Sequence, residues 1–288
     1  MASNSDLSIC TYNCRSIKNS VNEVVELLNK FDIVMLQEHW LLPTEIPMLS
    51  ELHRDFIATA HSAVDICQDV LIGRPYGGTA ILFRKALMGS VSFIETHESR
   101  LTAVMLSSSI GPVLVICTYM PTDYGDDESL ENYISVCSKI SALYAESDAI
   151  HLIVAGDFNC RKGSKMYDAF DAFVHDNNLT VSDMKRMSNV FTYCNDAGTA
   201  SSWIDHVLCS TTIDGAICTT GIIDNFITSD HQPLFVSFSL PCTWMSDVTP
   251  EHDSGCNMLV DWSRVDDTHI HTYASTVDKL LCEISIPS

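Results

Sequence analysis

Six places in this sequence set a group capable of chemistry at the end of an apolar run: Asn13, Glu38, Tyr119, Asp157 with Asn159, Asp205, and Asp230 with His231. Carboxylate and carbonyl oxygens are what a hard divalent cation such as Mg2+ takes as ligands. A carboxylate beside an imidazole fixes its tautomer and stabilises its charged form, an arrangement for handling protons. Each residue also has an ordinary explanation. Asp and Asn close turns, Tyr is common in strands, and a lone histidine among eleven is usually surface or satisfied core. Six clusters at strand ends are harder to dismiss, because a sheet holds such ends and their loops rigidly enough to build a site.

The elements that must position them are short β-rich runs alternating with helical patterns. Strands are expected over 8–13, 33–36, 79–83, 91–94, 101–106, 113–119 and 151–155. Further short strands are expected near 191–194, 203–209, 216–222 and 233–240. Val21, Val24, Val25 and Leu28 fall at helical spacing, and helices are expected over 21–30, 128–146 and 166–177. Residues 101–122 lack a charge, yet the Ser107–Pro112 turn splits them into a hairpin rather than a membrane span. The periodicity alone establishes an α/β class with many strands and no internal repeat.

The chain has 288 residues, 46% apolar and 18% charged, enough for one large core and too apolar for wholesale disorder. Its formal charge is −21, so its surface repels nucleic acid and anionic membrane at long range, and a phosphate ligand must be gripped locally. The twelve cysteines are scattered without a Cys-x2-Cys pair, which argues against structural zinc. The first residues lack a basic, apolar signal pattern, so the expected location is nuclear or cytoplasmic, without a membrane partner. Residues 242–288 carry eight acids and two bases, with Tyr273, Val277, Leu280, Leu281 and Ile284 at helical spacing. The expected division is a domain over 1–241 and an acidic linker over 242–288 with one amphipathic helix.

The segments Thr11-Tyr-Asn13, Leu36-Gln-Glu38, Thr118-Tyr-Met-Pro-Thr122, Gly156-Asp-Phe-Asn159, Trp203-Ile-Asp-His206 and Ser229-Asp-His231 occur in the order found in one family. In them the chain resembles the endonuclease/exonuclease/phosphatase superfamily, the DNase I-like fold, over residues 7–240. The resemblance implies a four-layer α/β/β/α sandwich with two mixed sheets face to face. It makes Glu38 the principal ligand of Mg2+, with Mn2+ as a possible substitute and Asn13 beside it. Asp157 then orients or activates the attacking water, and Asn159 donates to the phosphate. Asp205 pairs with His231, Asp230 contacts the metal's water shell or a second ion, and Tyr119 completes the catalytic set. DNA contacts are implied for Thr192 and Ser229. Some family members carry an acid where this chain has Arg15, a residue well suited to a phosphate.

Arg15, Lys18, Arg161, Lys162, Lys165, Lys185 and Arg186 lie within a few residues of these loops and suggest a positive rim on an acidic body. Asn13-Cys-Arg-Ser16, Gln37-Glu-His-Trp-Leu41 and Gly77-Gly-Thr-Ala-Ile-Leu82 are most similar to the endonuclease domain of non-LTR retrotransposon polyproteins. That similarity implies a DNA-nicking enzyme that leaves a 3′-hydroxyl for a reverse transcriptase partner in a longer polyprotein. The alternatives are an abasic-site repair endonuclease, another phosphoesterase of the same fold, or an inactive retroelement remnant.

Overall fold

The structure, a computed structural model, describes residues 6–64, 73–108 and 110–239. The expected appendage over 242–288, with its helix, lies outside the described residues. The first sheet contains β1 (Asp6–Asn13), β2 (Ile33–Gln37), β3 (Phe56–His61), β4 (Thr79–Arg84) and two strands from the end of the described chain. The second contains β5 (Val91–Ile94), β6 (Leu101–Leu106), β7 (Val113–Tyr119), β8 (His151–Asp157) and β9 (Leu179–Val181). A small hairpin of β10 (Tyr193–Cys194) and β11 (Ser201–Ser202) precedes β12 (Asp205–Ser210), the sixth strand of the second sheet. β13 (Ile217–Ile222) and β14 (Leu234–Ser239) complete the first, in the order β13-β14-β1-β2-β4-β3. The second runs β5-β6-β7-β8-β12-β9. Both sheets are mixed: β1–β2 and β7–β8 pair in parallel, and the other ladders are antiparallel.

Period-2 alternation explains the layers. Ile9, Met35, Ile81 and Phe83 of the first sheet meet Val104, Val115, Ile153 and Val207 of the second in the central core. On the outer face of the first sheet, Cys10, Tyr12, Val34 and Leu36 pack under Val24, Leu27 and Leu28 of α1 (Ile17–Lys30). On the opposite outer face, Leu114, Ile116, Leu152 and Val154 pack under α3 (Asp127–Glu146) and α4 (Lys165–Asp176). Their contacts come from Val136, Ile140, Phe170 and Phe173. Three short helices, α2 (Met48–Glu51), α5 (Ser182–Arg186) and α6 (Thr211–Gly215), fill the connections. The result is the expected α/β/β/α sandwich.

Strands that are buried on both faces read as unbroken apolar runs, which is why β2, β7 and β8 are legible in sequence. The long helices start where capping is possible. Asp126 and Ser164 accept the backbone N–H of Ser129 and Tyr167. The first helix begins four residues earlier than its apolar spacing predicts, after Ser16 with φ 91°. Residues 101–106 and 113–119 pair antiparallel as the predicted hairpin. The trace of β3, whose later residues are only partly buried, is absent from the sequence reading.

Candidate active site

β1, β2, β7 and β8 all end at the same edge of the sandwich. There Asn13 closes β1, Glu38 follows β2, Tyr119 closes β7 and Asp157 closes β8. β12 runs antiparallel to β8, so its first residue, Asp205, lies opposite Asp157 in the ladder. The loop before β14 returns His231 to this edge, where it bridges Tyr193. Gly156 permits the close fit: its φ is 153°, and a Cβ there would lie 1.9 Å from the Thr118 carbonyl oxygen.

A continuous chain of contacts joins five of the expected residues. The Asn13 amide nitrogen donates to Glu38 Oε1 at 2.9 Å and to Asp157 Oδ2 at 3.0 Å. His231 Nε2 lies 3.8 Å from the same Asp157 oxygen, and its Nδ1 is 2.8 Å from Asp205 Oδ2. Asn13, Asp157 and Asp205 are each 1% exposed and His231 4%, so these are interior groups held by one another rather than solvated turn residues. Tyr193 packs edge-on against the imidazole at 5.1 Å.

Burial and charge set the protonation. Burial pushes the Asp157 carboxyl well up, nearby Asp205 adds to that, and His231 works against it. For His231 burial opposes the charged form, but the Asp205 and Asp157 carboxylates overcome it and hold the imidazole well above its ordinary value. The Tyr119 phenol is likewise pushed up, by burial and then by the Glu38 and Asp157 carboxylates. It therefore keeps its proton throughout the neutral range.

These groups open onto a cavity of about 360 Å³, lined by Glu38, Tyr119, Asp157, Asn159, Asp230 and His231, with Arg15, Arg161 and others on its walls. Its oxygen-rich floor suits a hard cation. Glu38 Oε1 and Oε2 each accept one hydrogen bond, from Asn13 and from the Trp40 indole, and each retains acceptor capacity. Asp157, Asp205 and His231 also form a buried trio whose ligand atoms lie within 4.8 Å of one another. His231 Nδ1 and Asp205 Oδ2 are already committed to the hydrogen bond between them. The fit to a divalent ion is therefore better at Glu38, with Asp157 and Asp230 beside it.

Several placements differ from the sequence expectations. Asn13 presents its amide nitrogen to the carboxylates and its Oδ1 to the Arg15 N–H, so it bridges Glu38 and Asp157 instead of offering a ligand oxygen between them. The Thr192 hydroxyl is fully buried and accepts the N–H groups of Ile204 and Asp205, both at 3.1 Å. It braces the start of β12 and does not face a phosphate. Ser229 does similar work: its hydroxyl donates to the Asn13 carbonyl at 2.7 Å and accepts the His231 N–H at 3.1 Å. Asn159 adopts a tight turn with φ 49°, its N–H on Asp157 Oδ1 and its amide on the Met120 carbonyl, leaving one amide hydrogen for a ligand.

The rim is smaller than expected. Arg15 pairs with Asp196 through both terminal nitrogens and lies 3.5 Å from Asp230, and Arg161 lines the cavity. Lys162 is exposed beside Arg161. Lys165 instead meets Asp127, and Lys18 meets Glu45. Lys185 and Arg186 are not rim residues: both clamp the carboxylate of Asp214, whose side chain is 2% exposed. Sequence reasoning missed Trp40 and Arg74, which line the cavity, and Arg100, whose guanidinium lies over the Tyr119 ring. The available signal was the position of Trp40 two residues after Glu38.

An edge where both sheets converge carboxylates, an Asp–His pair and an amide bridge is the site of a phosphoester-cleaving enzyme. The family model for the Endonuclease/Exonuclease/phosphatase family matches residues 10–231, and the chain belongs to that family. Its activity class is accordingly that of a nuclease or phosphatase. Among solved structures, the 3′ phosphatase NExo from Neisseria, bound to product DNA hairpin, superposes with a TM-score of 0.65 at 19% identity. That match covers 81% of this chain and 100% of the other. The AP endonuclease LMAP from Leishmania major gives a TM-score of 0.66 at 13% identity, over 84% and 90% of the two chains. An AP endonuclease from Archaeoglobus fulgidus gives 0.61 at 16%, over 81% and 100%. A search of curated proteins returns no match. No helix of the described residues is long and apolar enough to cross a membrane.

Proposed function

We propose that this chain is a Mg2+-dependent DNA endonuclease that hydrolyses one strand and leaves a 3′-hydroxyl. The observation that carries the reading is the unbroken series Glu38–Asn13–Asp157–His231–Asp205, of which Glu38, Asp157 and His231 line one cavity. Glu38 would hold the metal, with Asp230 towards its water shell; Mn2+ would serve as a substitute. The bound ion supplies charge stabilisation to the phosphoryl oxygens.

The chain's own residues do the rest. A water beside Asp157 attacks phosphorus and passes its proton to that carboxylate, whose raised proton affinity suits a base near neutral pH. The bond from phosphorus to the 3′-oxygen breaks, and that oxygen takes up a proton from solvent water, to which Asp157 later returns its own. His231, kept protonated by Asp205, offers positive charge to the phosphoryl oxygens. Tyr119 and the free amide hydrogen of Asn159 supply further donors. Arg15, Arg161 and Lys162 hold the flanking backbone.

Within this activity, the Asn-Cys-Arg-Ser, Gln-Glu-His-Trp-Leu and Gly-Gly-Thr-Ala-Ile-Leu segments favour the endonuclease of a non-LTR retroelement, with a reverse transcriptase domain as partner in the parent polyprotein. The presence of every proposed catalytic residue argues against a decayed remnant. A supercoiled-plasmid nicking assay with Mg2+ and with EDTA tests the reading, and an abasic-site oligonucleotide and a 3′-phosphorylated strand separate it from repair endonuclease and phosphatase. Glu38→Ala should abolish nicking in a protein with unchanged circular dichroism. Retained Mg2+-dependent nicking by that variant would remove Glu38 from the metal site.

A further inference from the structure

The turn after β2 is unusual in two ways. Glu38 and Trp40 both have left-handed backbones, with φ 54° and 56°, a conformation that bulky residues adopt only where the surroundings impose it. The restraint is visible. The Glu38 N–H donates to the Gly78 carbonyl at 2.9 Å and the Trp40 N–H to the Gly77 carbonyl at 3.1 Å. The His39 ring between them packs so closely on Gly78 that a Cβ there would lie 2.5 Å away. This turn places Glu38 and Trp40 on the wall of the same cavity.

One indole ring then makes two connections. Its edge donates from Nε1 to Glu38 Oε2 at 3.0 Å. Its face carries the guanidinium of Arg74, with Cζ 4.3 Å from the ring centroid. Arg15, on another wall, already shares its charge with the exposed Asp196, whereas Arg74 has no carboxylate within ion-pair distance among the described residues. A guanidinium stacked on a ring is pre-organised, and its fork matches two phosphate oxygens. In a protein of charge −21 such a local cation is what a polyanionic strand requires.

We infer that Trp40 and Arg74 form a phosphate-binding wall: Arg74 grips a backbone phosphate next to the one cut, and Trp40 positions both Arg74 and Glu38. The inference rests on the DNA-nicking reading. Arg74 is a binding residue, and Trp40 is a positioning residue that acts through its two neighbours. Because the indole joins them, the bound phosphate and the Glu38 carboxylate keep a fixed separation.

The test uses the full chain, a fluorescein-labelled DNA duplex in EDTA across a salt series, and steady-state nicking of supercoiled plasmid with Mg2+. Arg74→Gln should weaken duplex binding about tenfold. It should also lower the log–log salt slope by about 0.9, the share of one phosphate contact. Its nicking loss should lie in KM. Arg74→Lys should restore the slope but only part of the affinity, since the charge returns without the planar fork. Trp40→Phe keeps a face for Arg74 and loses the N–H, so it should lower kcat about tenfold with the slope retained. Trp40→Ala should lose both. Should Trp40→Ala fail to fold, Arg74→Gln, at an exposed position, and Trp40→Phe still decide the matter. An unchanged slope for Arg74→Gln overturns the binding assignment, and an unchanged kcat for Trp40→Phe overturns the positioning assignment. A wild-type chain that nicks DNA alongside either result leaves the nuclease reading standing. A wild-type chain that neither binds nor nicks DNA removes that reading and this inference with it.

Discussion

Asp205→Asn isolates charge from geometry at the centre of the site. The amide oxygen of Asn can still accept from His231 Nδ1, which lies 2.8 Å from Asp205 Oδ2, so the ring should keep its place. What disappears is the carboxylate that does most to hold the buried imidazole in its charged form. Two opposite charges with centres about 4 Å apart interact by about 4 kcal/mol at an effective dielectric of about 20. Because the wild-type imidazole is held well above neutral, that loss returns its proton affinity towards the neutral range, so nicking that uses the imidazolium should fall steeply above neutral pH and much less below it. The sign of the pH effect follows from burial. The wild-type His231 has a raised pKa and stays protonated through the neutral range, so its contribution is flat there. Without Asp205, burial drives the pKa down, and the residual rate should rise as the pH is lowered. Single-turnover nicking across a pH series measures both effects. His231→Ala should cost a similar amount, and the double variant should be little worse than either single, because residues acting as one unit are not additive. A folded Asp205→Asn protein within tenfold of wild type, with a wild-type pH profile, would refute the dyad. Additive losses in the double variant would do the same.

Neutralising Arg161 and Lys162 together should lower the salt slope of duplex binding by up to about 1.8, with a smaller further effect from Lys165, which already pairs with Asp127. An unchanged slope would mean that these are solvated loop charges. Asp214→Asn should destabilise the fold by about 2–3 kcal/mol in urea unfolding, because it strands Arg186 and Lys185 after removing their buried partner; the exposure of Lys185 keeps the loss below that of a fully buried pair. Burial alone would raise the Asp214 carboxyl, but Arg186 and Lys185 hold it below the usual range. The stabilisation is then present above the ordinary carboxylate pKa and lost as pH falls through the lower folded value. Wild type and variant should converge in stability in acid, and a constant gap down to low pH would contradict the ion-pair account.

How much of this site was legible in the sequence follows from how each residue is held. Glu38, Asp157 and Asp205 stand at the ends of strands buried on both faces, and such strands announce themselves as short, largely apolar runs. The same runs, with the hairpin turn at 107–112 and the amphipathic spacing of α1, α3 and α4, specify an α/β class with many strands but leave the number of sheets, the layers and the strand order open. Strand order depends on long-range pairing, such as Asp205 with Asp157 across the β8–β12 ladder, which no local pattern encodes. The family resemblance supplied what periodicity could not.

The rim shows the opposite case. A basic residue near a site loop is a statement about distance along the chain, and a cation acts through the charge it is left with after pairing. Lys185 and Arg186 precede Thr192 by only a few residues, yet α5 turns them onto Asp214. Arg74, in a stretch with no chemical motif of its own, reaches the cavity because Gly77 and Gly78 tie the chain there to the Glu38 turn. A net charge of −21 therefore constrains the body but not the cavity. There, Arg74 and Arg161 face ligand space without a carboxylate partner among the described residues, and a proton on His231 offsets part of the charge of Asp205 and Asp157. DNA affinity in this protein should accordingly depend on a few cations at the cavity rather than on the surface as a whole, which makes it steeply sensitive to single substitutions there and insensitive to acidic residues elsewhere.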